Sequence, residues 1–328
     1  MVDCSQLEVF VVTYNRRDKL KKMLESLCCQ TARGFKITVL DNASTDNTRE
    51  VVKDMQLMHP HRNIGLVTHN ENLGNLGNFK MTQKMASLKY TAVFHDDDVI
   101  HPEYLERVMN LFAKHENAVV CTGGAQAVFM PENCNWPLLG TQYYVYPKGC
   151  NTYMQMMVQR ASFQTVVYRT EVYKRTNYHK DLYGKLHDII FLMEVGEQGE
   201  MIYVSEPCAR IGIDVSQDSS DLKSGPFPDE ILEIVCRIDE LMKGQKYAKP
   251  VLWNFTYFLY EWSCLSHHVT WDAFKEKLIT RSVFTNVEVM NFSMKSVMDR
   301  INGEILSLAE TLKFECAKNF KGFRSGLI

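Results

Sequence analysis

The stretch TAVFHDDDVIHP, residues 91–102, places three consecutive aspartates, Asp96, Asp97 and Asp98, directly after an apolar run. Adjacent carboxylates repel one another unless they are spread in water or gathered around a cation. Side chains alternate between faces on an extended chain, so Asp96 and Asp98 are expected on one face and Asp97 on the other. Such a pair can hold a divalent cation and leave positions for phosphate oxygens. A solvated acidic turn that caps the next helix is the alternative.

Two further polar loops favour a ligand site over a solvated acidic turn. DNASTDNT follows the apolar run KITVL, so Asp41 ends a predicted strand and the residues after it can cap a helix. NENLGNLGNF contains Gly74 and Gly77, which allow the backbone to approach a ligand closely. Plain capping and an ordinary turn are the alternatives for each loop alone. Three such loops after three successive strands favour one shared ligand site.

The elements that must position these loops alternate between strand and helix. LEVFVV, KITVL, GLVTHN and TAVFH are strand-like runs, and a helical pattern follows each of the first three. The first helix has apolar residues at positions i, i+3, i+4, i+7 and i+8, namely Leu20, Met23, Leu24, Leu27 and Cys28. The alternation predicts an α/β fold with a mostly parallel sheet flanked by helices. Ligands bind beyond the carboxyl ends of such strands, so TYN, DNASTD and HDDD are expected to converge.

The pattern weakens after residue 117. Short β-rich stretches, AVVCTGG and AQAVFM, precede a Tyr/Pro/Gly-rich loop, a helix with Leu186, Ile189, Ile190 and Met193 on one face, and the strand MIYVSE. SQDSSDLKSGPFPD has the composition of a linker, and the chain after it is helical and rich in aromatic residues. We therefore predict one α/β domain over residues 1–222 and a C-terminal helical region over residues 223–328.

Composition limits the classes of partner and compartment. The 328 residues carry a formal charge of −2, which gives no argument for nucleic acid as a partner. The ten cysteines form no CxxC pair, which favours buried thiols in a reducing compartment. The first residues, MVDCSQLEVFVVTYN, lack the basic start of a signal peptide, and no run approaches the ~20 apolar residues of a membrane span. A cytoplasmic protein is expected.

Four motifs in order and spacing resemble a family 2 glycosyltransferase with the GT-A fold: VFVVTYNRRDKLKKMLESLCCQT, KITVLDNASTDNT, NENLGNLGNF and FHDDDVIHPEYLE. The resemblance covers roughly residues 7–215. It implies metal-assisted transfer of a sugar from a nucleotide diphosphate, with inversion, by a nucleotide-sugar half (1–115) and an acceptor half (116–222). NLGNLGNF is similar to the NLGGAGGF of rhamnosyl- and galactofuranosyl-transferases. Asn75 and Asn78 replace two glycines there, which leaves the donor sugar open.

The resemblance also implies roles for individual residues. It assigns the donor nucleotide to Val12, Tyr14, Asn15, Asp41, Asn72, Gly74, Asp96 and Asp97. Asp41 would accept the imide N–H of a uracil or thymine. Asp96 would lie near the ribose and the metal, and Asp98 would bind Mg²⁺ or Mn²⁺ directly from a solvent-facing loop.

An inverting transferase needs a carboxylate that takes the proton of the acceptor hydroxyl. The family usually provides an aspartate at a helix start, and KLHDIIFLMEV offers Asp188, which the helix N-terminus would keep ionised. Asp181 is the reserve candidate. His187 would orient the base or touch the acceptor, although a structural role is the commoner one.

The family often has a histidine in a YRxH pattern after the next strand, where it meets the metal or the diphosphate. Here CARIGIDVSQDSS has Gly212 at that position. Arg210 or Asp214 substitutes for the histidine, or the metal is held by Asp98 and water.

Two other classes of protein remain open. A sugar-nucleotide nucleotidyltransferase shares the architecture, but it would need a glycine-rich basic loop where TYNRRD stands. A non-catalytic sugar-nucleotide-binding protein would not need Asp98 and Asp188. The expected acceptor is a glycan or a lipid-linked saccharide. The aromatic stretch 251–271 and the basic C-terminal tail either pack on the catalytic domain, form a homodimer contact or lie peripherally on a membrane.

Overall fold

The computed structural model describes residues 4–128, 131–137, 140, 142–149, 162–212, 228–244, 248–263, 268–291 and 324–327. Contacts within the chain define two compact units. The first contains Met1–Asn177, Glu194–Asp214 and Gly322–Ile328, and the second contains Tyr178–Met193 and Val215–Lys321. The predicted boundary at residue 222 lies outside the described residues. The segment Tyr178–Met193, which we predicted within the α/β domain, groups with the second unit.

The first part of the first unit alternates between strand and helix as predicted. Its elements are β1 (Leu7–Thr13), α1 (Arg17–Cys28), β2 (Lys36–Asp41), α2 (Thr48–Met58), β3 (Asn63–Thr68), α3 (Gly74–Met85) and β4 (Tyr90–His95). The strands lie in the order β3-β2-β1-β4, and all three neighbouring pairs are parallel. The five apolar residues that predicted α1 are all buried, so the helical stripe faces the sheet as its spacing requires.

Antiparallel strands complete the sheet and make it mixed. The elements after β4 are β5 (Asp98–Ile100), α4 (Tyr104–Lys114), β6 (Ala118–Val128), β7 (Gln142–Tyr146), β8 (Val167–Arg169), α5 (Thr170–Arg175) and β9 (Glu200–Gly212). The short strand β8 pairs antiparallel with β4 and with β6, and so joins the two halves of the sheet. AVVCTGG and the first four residues of AQAVFM form one strand, β6, which ends at Val128 and has register shifts at Gly123 and Gly124.

A strand from the C-terminal tail lies at the edge of this sheet. Residues Arg324–Leu327 form β10, which pairs antiparallel with β7. We predicted a helical region to the end of the chain, and that prediction is wrong for these residues. The four-residue segment gains its strand conformation from the open edge of β7, which its own composition does not indicate.

The second unit is helical. It contains α6 (Lys180–Tyr183), most of α7 (His187–Gly196), α8 (Pro228–Leu241), α9 (Ala248–Ser263), α10 (Trp271–Thr280) and α11 (Asn286–Asn291). Aromatic side chains of α9 and α10 pack on one another: the Trp253 and Trp271 rings are 5.4 Å apart, and those of Tyr260 and Trp271 are 4.8 Å apart. Within the described residues, no helix has the length and apolar character needed to cross a membrane.

Two polar side chains, Gln30 and Arg62, fix the chain at the C-terminal end of α1. Gln30 donates to the carbonyl of His101 at 2.8 Å and accepts from the N–H of Leu105 at 3.2 Å. The buried Arg62 guanidinium donates to the carbonyls of Cys28 and Gln30, both at 2.6 Å, and to that of Ala32 at 2.8 Å. A cation that satisfies carbonyls at and after a helix C-terminus also interacts favourably with the helix dipole.

We expect Arg62→Met to lower the free energy of unfolding by about 2–4 kcal/mol, because it leaves buried carbonyls without donors. Arg33→Met is the matched control, since the exposed Arg33 makes one bond, 2.8 Å long, to the carbonyl of Gln30. Urea denaturation followed by circular dichroism measures both variants. Equal losses in the two variants would show that Arg62 has no special structural role.

Candidate active site

The parallel register brings the predicted loops to one edge of the sheet. Thr13 at the end of β1 lies opposite Asp41 at the end of β2, and Val12 lies between Leu40 and His95. The carboxyl ends of β1, β2 and β4 are therefore level with one another. This is the edge where ligands bind in open α/β sheets.

The loops after β1 and β2 are tied together by Asn15. Its backbone has φ of 51°, a left-handed conformation that asparagine tolerates better than most residues. The N–H of Asn15 donates to Ser44 Oγ at 2.9 Å, and the N–H of Thr45 donates to Asn15 Oδ1 at 2.7 Å. Tyr14 beside it is 43% exposed, which leaves its ring free to contact a ligand. The structure thus presents Tyr14 on a braced loop.

Asp41 has one engaged oxygen and one without a hydrogen bond. The fully buried carboxylate accepts the N–H of Ser44 on Oδ1 at 3.0 Å. Its Oδ2 is shielded from solvent and has no hydrogen-bond partner among the described residues, although Arg49 Nε lies 4.0 Å away. A buried acceptor without a donor is unfavourable and suits a ligand N–H.

The loop after β3 is held by a network that sequence reasoning missed. Asn42 Nδ2 donates to Asn72 Oδ1 at 2.7 Å, and Asn42 Oδ1 accepts the N–H of Leu73 at 2.9 Å. Asn72 Oδ1 also accepts the N–H of Gly74 at 2.8 Å. Gly74 has φ of +70°, where a side chain would be strained, and no atom lies within 4 Å of the position of a Cβ. Asn72 and Gly74 therefore border open space.

The aspartates occupy a turn, which corrects the predicted alternation of faces. Residues 96–97 form a turn between β4 and β5, so the chain is not extended there. Arg16 Nη1 contacts both Asp96 Oδ1, at 3.3 Å, and Asp97 Oδ2, at 3.1 Å. The expectation that Asp97 faces away from Asp96 is therefore wrong. Asp96 also accepts the Thr13 hydroxyl on Oδ2 at 2.7 Å.

Burial dominates the electrostatics of this turn. Asp96 is 3% exposed, and burial raises the pKa of its carboxyl to about 6 although Arg16 and Thr13 oppose the shift. Asp98 is 1% exposed, and burial, reinforced by Asp97, raises the pKa of its carboxyl well above the usual range. The expectation that Asp98 lies on a solvent-facing loop is therefore wrong. Burial also lowers the pKa of His95, which favours a neutral imidazole.

Three donor atoms, one each from His95, Asp97 and Asp98, lie within 4.8 Å of one another. Asp98 Oδ1 accepts the N–H of Gly212 at 3.3 Å. Asp98 Oδ2 and His95 Nε2 are both shielded from solvent without a hydrogen-bond partner in the described part of the chain. Two buried polar atoms without hydrogen bonds from the described residues, beside the second carboxylate of the group, Asp97, fit a divalent cation, which would neutralise the repulsion between the carboxylates.

The predicted base lies in the second unit. Asp188 is in the first turn of α7, and its Oδ1 accepts the N–H of Ile189 at 2.9 Å. Burial outweighs this bond and raises the pKa of the Asp188 carboxyl to about 6. We expected the helix N-terminus to lower this pKa, and that expectation is wrong. His187 Nδ1 lies 2.9 Å from the carbonyl of Gly184, which gives the ring a structural contact. Asp181 lies on α6.

Arg210 braces a loop. Its guanidinium donates to the carbonyls of Glu132, Cys134 and Asn135 at 2.6–3.0 Å and lies 4.2 Å from the centre of the Trp136 ring. These contacts hold the segment after β6. Among the described residues, these contacts do not support the predicted role of Arg210 in binding a diphosphate.

Four polar residues of the site were not among the predicted ones: Thr13, Arg16, Asn42 and His95. Thr13, Asn42 and His95 lie within the motifs TYN, DNASTD and HDDD, although no individual role was predicted for them, and Arg16 directly follows TYN. Two of them carried a readable signal, because Arg16 is a basic residue directly after the TYN motif and His95 directly precedes the three aspartates.

Comparison with known proteins gives a family match. The model described as Glycosyl transferase family 2 matches residues 8–176. The chain is 22% identical over 231 residues to an uncharacterized glycosyltransferase of Haemophilus influenzae, a match that covers 67% of this chain and 69% of the relative. It is 27% identical over 141 residues to the uncharacterized glycosyltransferase YibD of Escherichia coli, covering 43% of this chain and 40% of YibD.

Solved structures share the fold. Residues 1–349 of S. aureus TarS match with a TM-score of 0.59 and 17% identity, covering 84% of this chain and 78% of that chain. TarS has been solved with UDP and with UDP-GlcNAc. The mannosyltransferase PcManGT of Pyrobaculum calidifontis, in complex with GDP-Man and Mn²⁺, matches with a TM-score of 0.52 and 14% identity over 95% of this chain and 84% of its own. At these identities the likeness establishes the fold.

We expect Arg16→Gln to destabilise the protein by about 1–3 kcal/mol, because Asp96 and Asp97 lose a charged hydrogen-bond donor. Arg17→Gln is the control: Arg17 forms an exposed pair with Asp18 at 3.5 Å, and such pairs contribute little. Thermal unfolding by calorimetry, with and without Mn²⁺, measures both. The loss of stability in Arg16→Gln is expected to become smaller when Mn²⁺ is added. If Arg16→Gln is as stable as Arg17→Gln without Mn²⁺, Arg16 does not stabilise the aspartate turn.

Proposed function

The chain belongs to glycosyl transferase family 2 and has the GT-A fold, and we propose that it is an inverting, metal-assisted hexosyl- or deoxyhexosyl-transferase. The proposed donor is a UDP- or dTDP-sugar, and the acceptor is a hydroxyl of a glycan or lipid-linked saccharide in polysaccharide biosynthesis. One observation carries the proposal: the carboxyl ends of β1, β2 and β4 are level with one another, and the end of β4 carries a buried carboxylate cluster with polar atoms that lack hydrogen bonds among the described residues. The match over residues 8–176 favours this function over the nucleotidyltransferase alternative.

The nucleotide base is assigned to the edge formed by β1 and β2. Asp41 Oδ2 is a buried acceptor without a hydrogen bond in the described residues, which suits the imide N–H of uracil or thymine. Tyr14, 43% exposed beside Asn15, offers a ring for stacking on the base. Val12 lines the same strand end. The fold neighbour TarS has been solved with UDP, which is consistent with a pyrimidine nucleotide.

The sugar is assigned to the loop before α3. Asn72 and Gly74 border open space there, and the exposed Asn75 stands at a glycine position of the rhamnosyl- and galactofuranosyl-transferase motif. Asn78, at the other such position, donates to the carbonyl of Leu40 at 3.3 Å and contacts His69 Nε2 at 3.0 Å. Its amide therefore braces α3, and Asn75 is the residue left to contact a sugar. The loop is similar to the motif of the rhamnosyl- and galactofuranosyl-transferases, and the two asparagines leave the donor sugar open.

The cation site is assigned to the aspartate turn. Asp98, with Oδ2 unpartnered among the described residues, would hold Mg²⁺ or Mn²⁺ together with Asp97. Asp96 is engaged by Thr13 and Arg16, so we place it beside the ribose and at the edge of the cation site. A bound divalent cation supplies charge stabilisation to the departing diphosphate. Arg16 holds a positive charge at the same turn.

Asp188 is assigned as the general base. A carboxyl with a pKa of about 6 is ionised at neutral pH yet basic enough to take the proton of an acceptor hydroxyl as the new bond forms. The attacking oxygen displaces the nucleoside diphosphate from the opposite side of the anomeric carbon, which inverts its configuration. The proton then resides on Asp188, and the electrons of the broken bond leave with the diphosphate.

Acceptor choice is assigned to the second unit and to the loops after β6. The large aromatic side chains of the 251–271 stretch that are described pack within that unit, with Trp253 2% and Tyr260 4% exposed. This favours internal packing of the stretch over the homodimer contact or the peripheral membrane contact that its composition also allows.

We expect Asp98→Asn to abolish most turnover of the cognate UDP- or dTDP-sugar, because the leaving diphosphate loses its cation. The fold is expected to persist, since an amide removes a buried charge that burial already disfavours. The exposed Asp54→Asn is the control. Product formation measured by chromatography with saturating Mn²⁺ tests this. Near-wild-type turnover in Asp98→Asn would overturn the metal-assisted mechanism, and absence of turnover in the wild-type protein would favour a non-catalytic binding protein.

We expect the transfer rate of the wild-type enzyme to fall as the pH is lowered through about 6, because a protonated Asp188 cannot accept the acceptor proton. Asp188→Asn should lower transfer by roughly 10²–10⁴-fold and flatten this profile while donor affinity stays near normal. Turnover is measured at saturating donor and Mn²⁺, so that the ionisation of Asp96 and Asp98 does not limit it. Asp181→Asn is the comparison variant, and a flat profile only in that variant would move the base to Asp181.

A further inference from the structure

His95 directly precedes the aspartate turn, and its contacts do not explain why a polar side chain is buried there. It ends β4, opposite Val12 of β1, with its ring edge-on to Phe79 at 5.5 Å between centroids. That T-shaped contact restricts the orientation of the imidazole ring. The Nε2 atom is nevertheless shielded from solvent and has no hydrogen-bond partner among the described residues. A leucine or phenylalanine would fill such a place without the unfavourable burial of a polar atom.

Asp98 likewise has a buried polar atom without a hydrogen bond to the described residues. Asp98 is 1% exposed, its Oδ1 is taken by the N–H of Gly212 at 3.3 Å, and its Oδ2 has no hydrogen-bond partner in the described part of the chain. His95, Asp97 and Asp98 each offer one ligand atom to a group whose atoms lie within 4.8 Å of one another. Asp98 Oδ2 and His95 Nε2 have no hydrogen bond to each other or to any other described residue, whereas one cation beside them would satisfy both.

Gly212 borders the group at Asp97 and Asp98 and leaves no room for a side chain there. Gly212 donates its N–H to Asp98, and a Cβ at this position would collide with the carbonyl oxygen of Asp97 and approach Pro131 Cδ to 3.3 Å. Any side chain there would push the Asp97 backbone away. β9 therefore contributes backbone to the group, and the nitrogen donor comes from β4.

We propose that His95 Nε2 is a direct ligand of the cation, together with Asp97 and Asp98, and that this mixed nitrogen and oxygen set makes the site prefer Mn²⁺ to Mg²⁺. The inference rests on the cation site of the proposed function. Imidazole is a good ligand for first-row transition metals, whereas Mg²⁺ prefers an all-oxygen shell and keeps several waters. The affinity for Mn²⁺ therefore depends on His95 more strongly than the affinity for Mg²⁺ does.

The first test measures cation binding without turnover. The full chain is titrated with Mn²⁺ and with Mg²⁺ by isothermal calorimetry in the presence of UDP, which is not consumed. His95→Gln is expected to weaken Mn²⁺ binding at least about tenfold, and Mg²⁺ binding by less than about threefold. His61→Gln removes an exposed histidine and is the matched control, expected to bind both cations as the wild type does. Equal weakening of Mn²⁺ and Mg²⁺ binding in His95→Gln would overturn the preference.

The second test does not depend on a variant that folds. Wild-type protein labelled with ¹⁵N-histidine is loaded with Mn²⁺ and UDP, and pulsed electron paramagnetic resonance records the coupling between Mn²⁺ and ¹⁵N. A coupling typical of directly bound imidazole is expected, and it should persist in His61→Gln and vanish in His95→Gln. Bound Mn²⁺ without this coupling contradicts the role of His95 and leaves the proposed function intact. Failure of the wild-type protein to bind either cation in the calorimetric titration removes the cation site of the proposed function as well.

Discussion

Three carboxylates withdrawn from water on one turn are the constraint on which the first unit depends. Asp96, Asp97 and Asp98 are each less than a tenth exposed, and ionised carboxylates in such places require partners. Arg16 and Thr13 partner Asp96, Arg16 also partners Asp97, and the Gly212 N–H partners one oxygen of Asp98. These donors come from β1, the loop before α1, and β9, so three separate elements must meet at the turn for it to be stable.

Helix α1 positions Arg16, which neutralises the aspartates, by contacts with the rest of the unit. Arg16 immediately precedes the helix, and Gln30 and Arg62 fix the chain just beyond its end. Because Gln30 accepts from Leu105 and donates to His101, the start of α4 is tied to the same point. The buried apolar face of α1 holds the helix against the sheet between these two anchors. The guanidinium that neutralises the aspartates is therefore positioned by contacts at the opposite end of a twelve-residue helix.

The sequence-based predictions succeeded where local pattern and structure agree, and failed where tertiary contacts decide. The alternation from β1 to β4 is confirmed because each strand is an apolar run and each helix has a regular stripe. The turn at residues 96–97 escaped prediction because nothing in HDDD distinguishes a turn from an extended end. Arg16 could be read as a basic residue near the site, but its contact with two aspartates depends on the pairing of β1 with β4. The grouping of 178–193 with the C-terminal helices depends on packing between segments distant in sequence.

Burial raises the pKa of both Asp98 and Asp188, yet their surroundings lead to different chemistry. The first turn of α7 offers Asp188 the N–H of Ile189, and the result is a carboxyl with a pKa of about 6. Such a group can accept a proton and release it near neutral pH. Burial raises the pKa of the Asp98 carboxyl well above its usual range, and the neighbouring Asp97 and Asp96 disfavour its ionisation further. Only added positive charge makes its ionised form favourable, and cation binding must then displace protons from the turn. The same desolvation thus suits one aspartate to proton transfer and makes ionisation of the other depend on a bound cation.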